Sequence, residues 1–213
     1  MLVLVDLDNT LVDRTGSFRR WALDWIPAHG GAAVDVAWTI EADNDGYEPR
    51  PRLAAQLAER LGLPVQHLLE ELQLGVVAHL DPDPAVAAVL QEAVAAGWSP
   101  VVVTNGSVRQ QEAKLRRTGL DKLVAGWVVS EGVGVRKPDR RIFDLGAEAA
   151  GLPSAAGGWM IGDNPADDIA GAAAAGLRTV WLHRGRQWPS SLAVEPTRTA
   201  DDFPSALRGI LGS

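Results

Sequence analysis

Short runs of apolar, mostly β-branched residues recur along the chain, separated by longer segments of mixed polarity. Apolar runs without alternating polar positions are typical of strands buried on both faces of a parallel sheet. They predict strands at residues 2–6, 100–104, 126–130, 157–163 and 178–183. We therefore expect a parallel sheet at the centre of the fold.

The segments between the later runs have helical patterns. Helices are predicted over 107–118, 138–150 and 165–175. Each of these segments has a serine or proline near its start and a glycine just past its end, which is typical of helix termini. Strands that alternate with helices predict an α/β fold with a doubly wound parallel sheet.

The segment from about residue 15 to residue 82 breaks this alternation because it contains no convincing strand. Its apolar positions recur at helical spacing and predict four helices. A segment of this length exceeds what a crossover connection needs. We therefore expect an inserted helical domain at 15–82 and an α/β core domain formed by 1–14 and 83–213.

Acidic and hydrogen-bonding residues stand at the ends of the predicted strands or in the loops that follow them. In chain order they are Asp6, Asp8, Thr104, Asn105, Lys137, Asp163, Asp167 and Asp168. The carboxyl ends of parallel strands form the ligand-binding edge of an open α/β sheet, so we expect these groups to converge there. Carboxylates about 4 Å apart repel by about 4 kcal/mol at an effective dielectric constant near 20, and such a group needs a cation. Oxygen ligands with no nearby histidine or cysteine favour Mg²⁺.

These residue types also suit phosphoryl transfer. A carboxylate held beside Mg²⁺ can attack phosphorus and form an aspartyl phosphate. A second carboxylic acid can protonate the leaving oxygen and then activate the water that cleaves the intermediate. A hydroxyl, a backbone N–H group and a lysine can hold the phosphoryl oxygens.

Composition narrows the remaining classes of function. The 213 residues include 20 Lys and Arg against 27 Asp and Glu, and a net charge of −7 argues against nucleic-acid binding. No apolar run is long enough for a membrane helix. The chain has no cysteine, which excludes disulfides and thiolate chemistry. The apolar N-terminal stretch contains Asp6 and is not preceded by basic residues, so no signal peptide is expected and a cytoplasmic location is the default.

Four segments resemble, in order, the motifs of the haloacid dehalogenase-like hydrolase superfamily: DLDNT, VVVTNGS, GVRKPD and IGDNPADDIAGA. The resemblance covers about residues 1–14 and 84–195. It implies that Asp6 is the nucleophile and Asp8 the general acid and base. It further implies that Thr104 and the Asn105 backbone bind the phosphoryl group, and that Lys137 neutralises both the nucleophile and the phosphate.

The same resemblance implies a Mg²⁺ site formed by Asp6, the backbone carbonyl of Asp8 and Asp163. The last acidic ligand is either Asp167 or Asp168, and Asp168 is favoured because it directly precedes the sequence IAGA. The helical insertion between the first two motifs resembles the caps of family members, which open for substrate and close to exclude water. Its most polar stretch, 41–52, is either a loop between helices or a loop that reads the substrate.

The expected function is a Mg²⁺-dependent phosphatase that acts on a small phosphorylated metabolite. A phosphomutase, which passes the phosphoryl group to a sugar hydroxyl instead of water, needs the same residues and stays open as an alternative. A dehalogenase is disfavoured because that reaction needs no acid for the leaving group, whereas Asp8 is present. A non-catalytic binding module is disfavoured because no motif residue is missing. The substrate and the oligomeric state are left open.

Overall fold

A computed structural model describes residues 1–212 of the protein. These residues divide into two compact units. One unit comprises Met1–Val12 together with the chain from Pro82 onward, and the other comprises Asp13–Asp81. Within residues 1–212, every strand belongs to the first unit, and the second unit is helical throughout. We call them the α/β unit and the helical unit.

The helical unit is built from five α-helices: α1 (Arg14–Ala28), α2 (Ala33–Ala42), α3 (Arg50–Leu61), α4 (Val65–Glu70) and α5 (Val76–Ala78). A π-helical turn at Glu71–Gly75 connects α4 to α5, so the last of the four helices predicted for this segment is interrupted. The apolar faces of these helices form a core of their own, in which Phe18, Trp21 and Leu57 are fully buried. Burial of such side chains stabilises the helical unit.

The polar stretch 41–52 contains a buried ion-pair cluster. Asp43 accepts hydrogen bonds from the guanidinium groups of Arg14 and Arg50, the latter at 2.7 Å. Burial alone raises the pKa of Asp43, but the two arginines outweigh it and hold that pKa below its ordinary value. The carboxylate of Asp43 therefore serves the internal structure of the helical unit, because a buried charge needs partners of this kind.

The α/β unit is organised around a parallel sheet of six strands in the described residues. They are β1 (Leu2–Val5), β2 (Ser99–Thr104), β3 (Gly126–Val129), β4 (Trp159–Gly162), β5 (Arg178–Leu182) and β6 (Arg198–Ala200), in the order β3-β2-β1-β4-β5-β6. The prediction of a doubly wound parallel sheet is confirmed. The sequence does not predict β6, since its three residues include no apolar run. The strand order reverses between β1 and β4, which is where ligands bind in sheets of this kind.

Helices surround this sheet: α6 (Pro84–Ala95), α7 (Val108–Thr118), α8 (Ser130–Val133), α9 (Arg140–Ala149), α10 (Gly171–Ala174) and α11 (Phe203–Leu211). A π-helical turn at Pro165–Ala170 leads into α10. Gly146 of α9 lies so close to the sheet that a β-carbon there would be 2.7 Å from the side chain of Val103 and 2.9 Å from that of Leu4. The absence of a side chain thus lets α9 approach the strands that carry the candidate site. Across residues 1–212, none of the helices has the length and apolar character needed to cross a membrane.

Candidate active site

The carboxyl end of β1 holds a buried aspartate. Asp6 follows Val5 directly, and its backbone N–H donates to the carbonyl of Ile161 in β4 at 2.9 Å. This bond extends the pairing of β1 with β4 by one residue. Asp6 therefore lies where the strand order reverses, between β1 and β4.

Lys137 joins two of the predicted carboxylates. Its ammonium nitrogen lies 2.6 Å from Oδ1 of Asp6, 2.6 Å from Oδ1 of Asp168 and 2.8 Å from the carbonyl oxygen of Val103. Three acceptors match the three N–H donors of an ammonium group. The Lys137 side chain is only 2% exposed. Its charge is thus buried at the centre of the site, and water screens it little.

Asp6, Asp163 and Asp168 form a cluster of buried carboxylates, and one oxygen atom from each lies within 4.8 Å of the other two. The ammonium group of Lys137 neutralises one of these three carboxylates. The donors are all oxygen atoms, the ligand type that Mg²⁺ prefers. The residues present therefore fit the metal that the sequence motifs imply.

The electrostatics of this cluster favour the binding of a cation. Burial raises the pKa of Asp6 to about 7, with Lys137 opposing the rise and Asp168 adding to it. Burial also raises the pKa of Asp168 against the effect of Lys137. Burial by itself would lower the pKa of Lys137, but the carboxylates of Asp168 and Asp6 outweigh it and raise that pKa above its ordinary value. The lysine is therefore firmly cationic, whereas the carboxylates favour a proton or a metal ion.

Asp163, at the end of β4, is approached by two arginines that the sequence reasoning missed. Arg184 lies 3.0 Å and Arg186 lies 3.1 Å from its Oδ2. Burial and the neighbouring Asp6 raise the pKa of Asp163 to about 6, while the two arginines oppose this rise. The arginines come from the loop after β5, which no motif marks. They place two further positive charges beside the carboxylate cluster.

The two adjacent acidic residues of the fourth motif are separated by the local backbone. Asn164 precedes the π-helical turn, and its Oδ1 accepts from the N–H groups of Ala166 and Asp167. The turn directs Asp168 inward, where it is 1% exposed, bonds Lys137 and accepts from the Asn164 N–H group at 2.9 Å. Asp167 is partly exposed and lies outside the carboxylate cluster. Of the two, Asp168 is the one located beside Asp6 and Asp163.

Asn105, directly after β2, connects three strand ends through its side chain. Its Oδ1 accepts from the backbone N–H of Lys137 at 2.9 Å, and its Nδ2 donates to the Lys137 carbonyl at 3.2 Å. Nδ2 also donates to Oδ2 of Asp167 at 3.2 Å. The loops after β2, β3 and β4 are therefore linked at one residue. The neighbouring Thr104 is buried, and its hydroxyl oxygen accepts from Nε2 of Gln111 at 2.6 Å.

Asp8 is held by two residues of α7 that the sequence reasoning also missed. The ammonium nitrogen of Lys114 lies 2.7 Å from each of its carboxylate oxygens. Nε2 of Gln111 donates to Oδ2 of Asp8 at 3.1 Å. One sequence feature could have indicated these contacts: Gln111 and Lys114 lie on the same face of α7 as the buried Leu115. Polar residues on the buried face of an amphipathic helix need partners, and here these partners are at the candidate site.

Comparison with known proteins identifies relatives among phosphate-processing enzymes. The family model of haloacid dehalogenase-like hydrolases matches residues 1–176. Pyrimidine 5'-nucleotidase YjjG of Escherichia coli is 36% identical over 147 residues, which are 68% of this chain but only 64% of YjjG. Glyceraldehyde 3-phosphate phosphatase of Pyrococcus abyssi is 28% identical over 198 residues, which are 87% of this chain and 82% of that protein.

Solved structures share the fold over nearly the whole chain. The structure of the HAD-hydrolase YfnB of Bacillus subtilis has a TM-score of 0.76 and a sequence identity of 21%, and the match covers 100% of this chain and 98% of YfnB. At this identity the likeness concerns the fold alone. It includes both the sheet and the inserted helices.

Proposed function

Because this chain belongs to the haloacid dehalogenase-like hydrolase family, we propose that it is a Mg²⁺-dependent phosphatase that cleaves a small phosphorylated metabolite through an aspartyl phosphate. The names of the E. coli and P. abyssi relatives, a pyrimidine 5'-nucleotidase and a glyceraldehyde 3-phosphate phosphatase, support small phosphomonoesters as substrates. The observation that carries the proposal is the buried lysine that bonds Asp6 and Asp168 beside Asp163.

Asp6 is the proposed nucleophile. It stands at the end of a central strand, and its Oδ1 bonds Lys137, so one oxygen is oriented by the lysine. A carboxylate that attacks phosphorus forms an acyl phosphate and splits hydrolysis into two easier steps. Lys137 lowers the repulsion between this carboxylate and the anionic substrate, and it stabilises the charge on the transferring group. Its raised pKa keeps it cationic throughout.

Asp6, Asp163 and Asp168 are the side chains that would hold Mg²⁺, together with the backbone carbonyl of Asp8. When bound, the ion supplies Lewis-acid neutralisation of the phosphoryl oxygens. The crystal structure of YfnB, which is bound to magnesium, supports this choice of metal. The donor chemistry of the cluster agrees with it, since all three side chains offer carboxylate oxygens.

Asp8 is the proposed general acid and base. It would protonate the leaving oxygen in the first step and take a proton from the attacking water in the second. Thr104 and the backbone of Asn105 are proposed to bind the phosphoryl oxygens. The Asn105 side chain is engaged with the Lys137 loop, so its own contribution to phosphate binding is restricted to the backbone.

The helical unit, Asp13–Asp81, is the proposed cap that selects the substrate. Its insertion directly after the first motif agrees with this role. The interdomain movement described for YfnB supports a cap that moves during the catalytic cycle. On this proposal, specificity comes from the helical unit and chemistry from the α/β unit.

The test is a screen of the purified protein with Mg²⁺ against a panel of phosphorylated metabolites. The panel includes pyrimidine 5'-nucleotides and glyceraldehyde 3-phosphate, and free phosphate is the readout. We expect Mg²⁺-dependent phosphate release from at least one compound, and loss of that release in Asp6→Asn. Phosphoryl transfer to a sugar hydroxyl without phosphate release would instead identify a phosphomutase. An inert protein across the panel would refute both.

A further inference from the structure

We propose that Lys114 of α7 is a positioning residue that orients the carboxylate of Asp8 for proton transfer to and from the substrate. This inference rests on the proposed function, because it gives Asp8 its task. It adds a residue outside the motif positions. The contact that carries it is the pair of 2.7 Å distances from one ammonium nitrogen to both oxygens of Asp8.

The burial of this pair differs from that of a surface salt bridge. The Lys114 side chain is 4% exposed, whereas that of Asp8 is 28% exposed. The cation thus lies beneath the carboxylate and leaves its outer side accessible. Exposed lysine–carboxylate pairs contribute little to stability, but a buried lysine loses its hydration and needs the carboxylate. Lys114 is therefore held in place, and it holds Asp8 in turn.

A second residue of the same helix restricts the carboxylate further. Gln111 is buried, and its Nε2 lies 3.1 Å from Oδ2 of Asp8 and 2.6 Å from the hydroxyl oxygen of Thr104. One amide group therefore touches both the proposed proton-transfer residue and the proposed phosphate-binding residue. With donors at both oxygens, the plane of the Asp8 carboxylate is defined before any substrate arrives.

Orientation of this kind matters because a general acid must come within hydrogen-bond reach of the leaving oxygen. A displacement of about 1 Å in such a group can cost about 10²-fold in rate. The loss falls on steps that need the proton. A leaving group that departs readily as an anion, such as p-nitrophenolate, needs little protonation, whereas an alkoxide needs it strongly. If Lys114 acts through Asp8, its replacement should therefore slow esters with an alkoxide leaving group far more than p-nitrophenyl esters. A general loss of structure would slow both kinds of ester equally.

The experiment compares Lys114→Met, Lys114→Arg and wild type on p-nitrophenyl phosphate and on glycerol 2-phosphate, both with Mg²⁺. For Lys114→Met we expect kcat to fall by about 10²-fold on glycerol 2-phosphate and by less than about 10-fold on p-nitrophenyl phosphate. KM should change little on either ester. Lys114→Arg should recover most of the activity, because a guanidinium group can also bind both carboxylate oxygens. The exposed Lys122 supplies the matched control, and Lys122→Met should behave as wild type.

A double-mutant cycle completes the test. In an Asp8→Asn background, Lys114→Met should cause no further loss, since the group through which Lys114 acts has been replaced. Equal losses on the two esters, additive losses in the cycle, or unchanged kcat in Lys114→Met would each overturn the inference. If Lys114→Met does not fold, as judged by circular dichroism, Lys114→Gln takes its place in the same comparison. If the wild type does not cleave glycerol 2-phosphate, an alkyl phosphate that it cleaves in the metabolite panel takes the place of that ester. A wild-type protein inert toward both esters and the whole panel would refute the proposed function and this inference with it, whereas an active wild type with equal losses refutes this inference alone.

Discussion

Replacement of Lys137 by methionine removes the single ammonium group that bonds both Asp6 and Asp168. At 2.6 Å and an effective dielectric constant near 20, each contact is worth about 6 kcal/mol of Coulomb energy. Desolvation of the buried charges costs several kcal/mol per ion, so the net contribution of each contact to stability is far smaller than its Coulomb energy. Removing one partner of a buried ion pair typically costs about 3–5 kcal/mol. We therefore expect Lys137→Met to lower the free energy of unfolding by about 3–5 kcal/mol at about pH 8.

The loss should depend on pH in a defined direction. An acid whose pKa is higher in the folded than in the unfolded protein binds more protons when folded, so stability falls as pH rises between the two values. Burial raises the pKa of Asp6 from 3.8 to about 7 even though Lys137 acts to lower it. Removal of Lys137 takes this lowering effect away, so the pKa of Asp6 should rise further. The variant should therefore be close to wild type near pH 4–5, where protons replace the ammonium group, and increasingly less stable toward pH 8.

Urea unfolding with a metal chelator present measures this difference. The eight tryptophans provide a fluorescence signal, and circular dichroism gives a second probe. With a denaturant slope of about 2 kcal/mol per molar, the midpoint at pH 8 should fall by roughly 1.5–2.5 M. The exposed Lys122→Met serves as the control and should match wild type at both pH values. An unchanged midpoint at pH 8, or the same deficit at pH 5 and pH 8, would refute the electrostatic account of the site.

Three further outcomes are expected. Asp6→Asn should abolish release of p-nitrophenol from p-nitrophenyl phosphate, because an amide is a poor nucleophile, and substantial residual turnover would remove Asp6 from its proposed role. A chelator should stop the reaction, and Mg²⁺ should restore it while Ca²⁺ does not, since Ca²⁺ favours more ligands at longer distances. In a calorimetric melt, Mg²⁺ at about 100 times its Kd should stabilise the protein by about 2.7 kcal/mol. Asp168→Ala should weaken Mg²⁺ binding in titration calorimetry more than Asp167→Ala, because only Asp168 lies in the carboxylate cluster, and the reverse order would reassign the ligand.

Local patterns were sufficient to predict the buried strands and the helices with clear ends. The run at 100–104 is apolar up to its final threonine, and the corresponding strand β2 is buried from Pro100 to Thr104. The strand β6 escapes prediction because Arg198–Ala200 carries no apolar run and pairs with β5 alone. This strand therefore depends on pairing with β5, and the sequence of these three residues alone does not indicate it.

In the candidate site, too, some features follow from local sequence patterns and others depend on the folded structure. Asp6 and Asp163 end predicted strands and Lys137 lies in the loop after another, so their convergence at one edge of the sheet could be predicted. The contacts of Asp8 with Gln111 and Lys114 span more than 100 residues of sequence, and no local pattern specifies them. The choice between Asp167 and Asp168 depends on the direction of one π-helical turn, which spacing alone does not reveal.

The links made by Asn105 have a consequence for ligand binding. Because its side chain joins the backbone at Lys137 to Asp167, the loops that follow three strands become ordered together as the protein folds. Preorganised loops of this kind spare an incoming molecule the entropic cost of arranging them. The cost of ordering these loops therefore does not reduce affinity at this edge of the sheet, and amide hydrogen exchange at Lys137 should be slow even in the free protein.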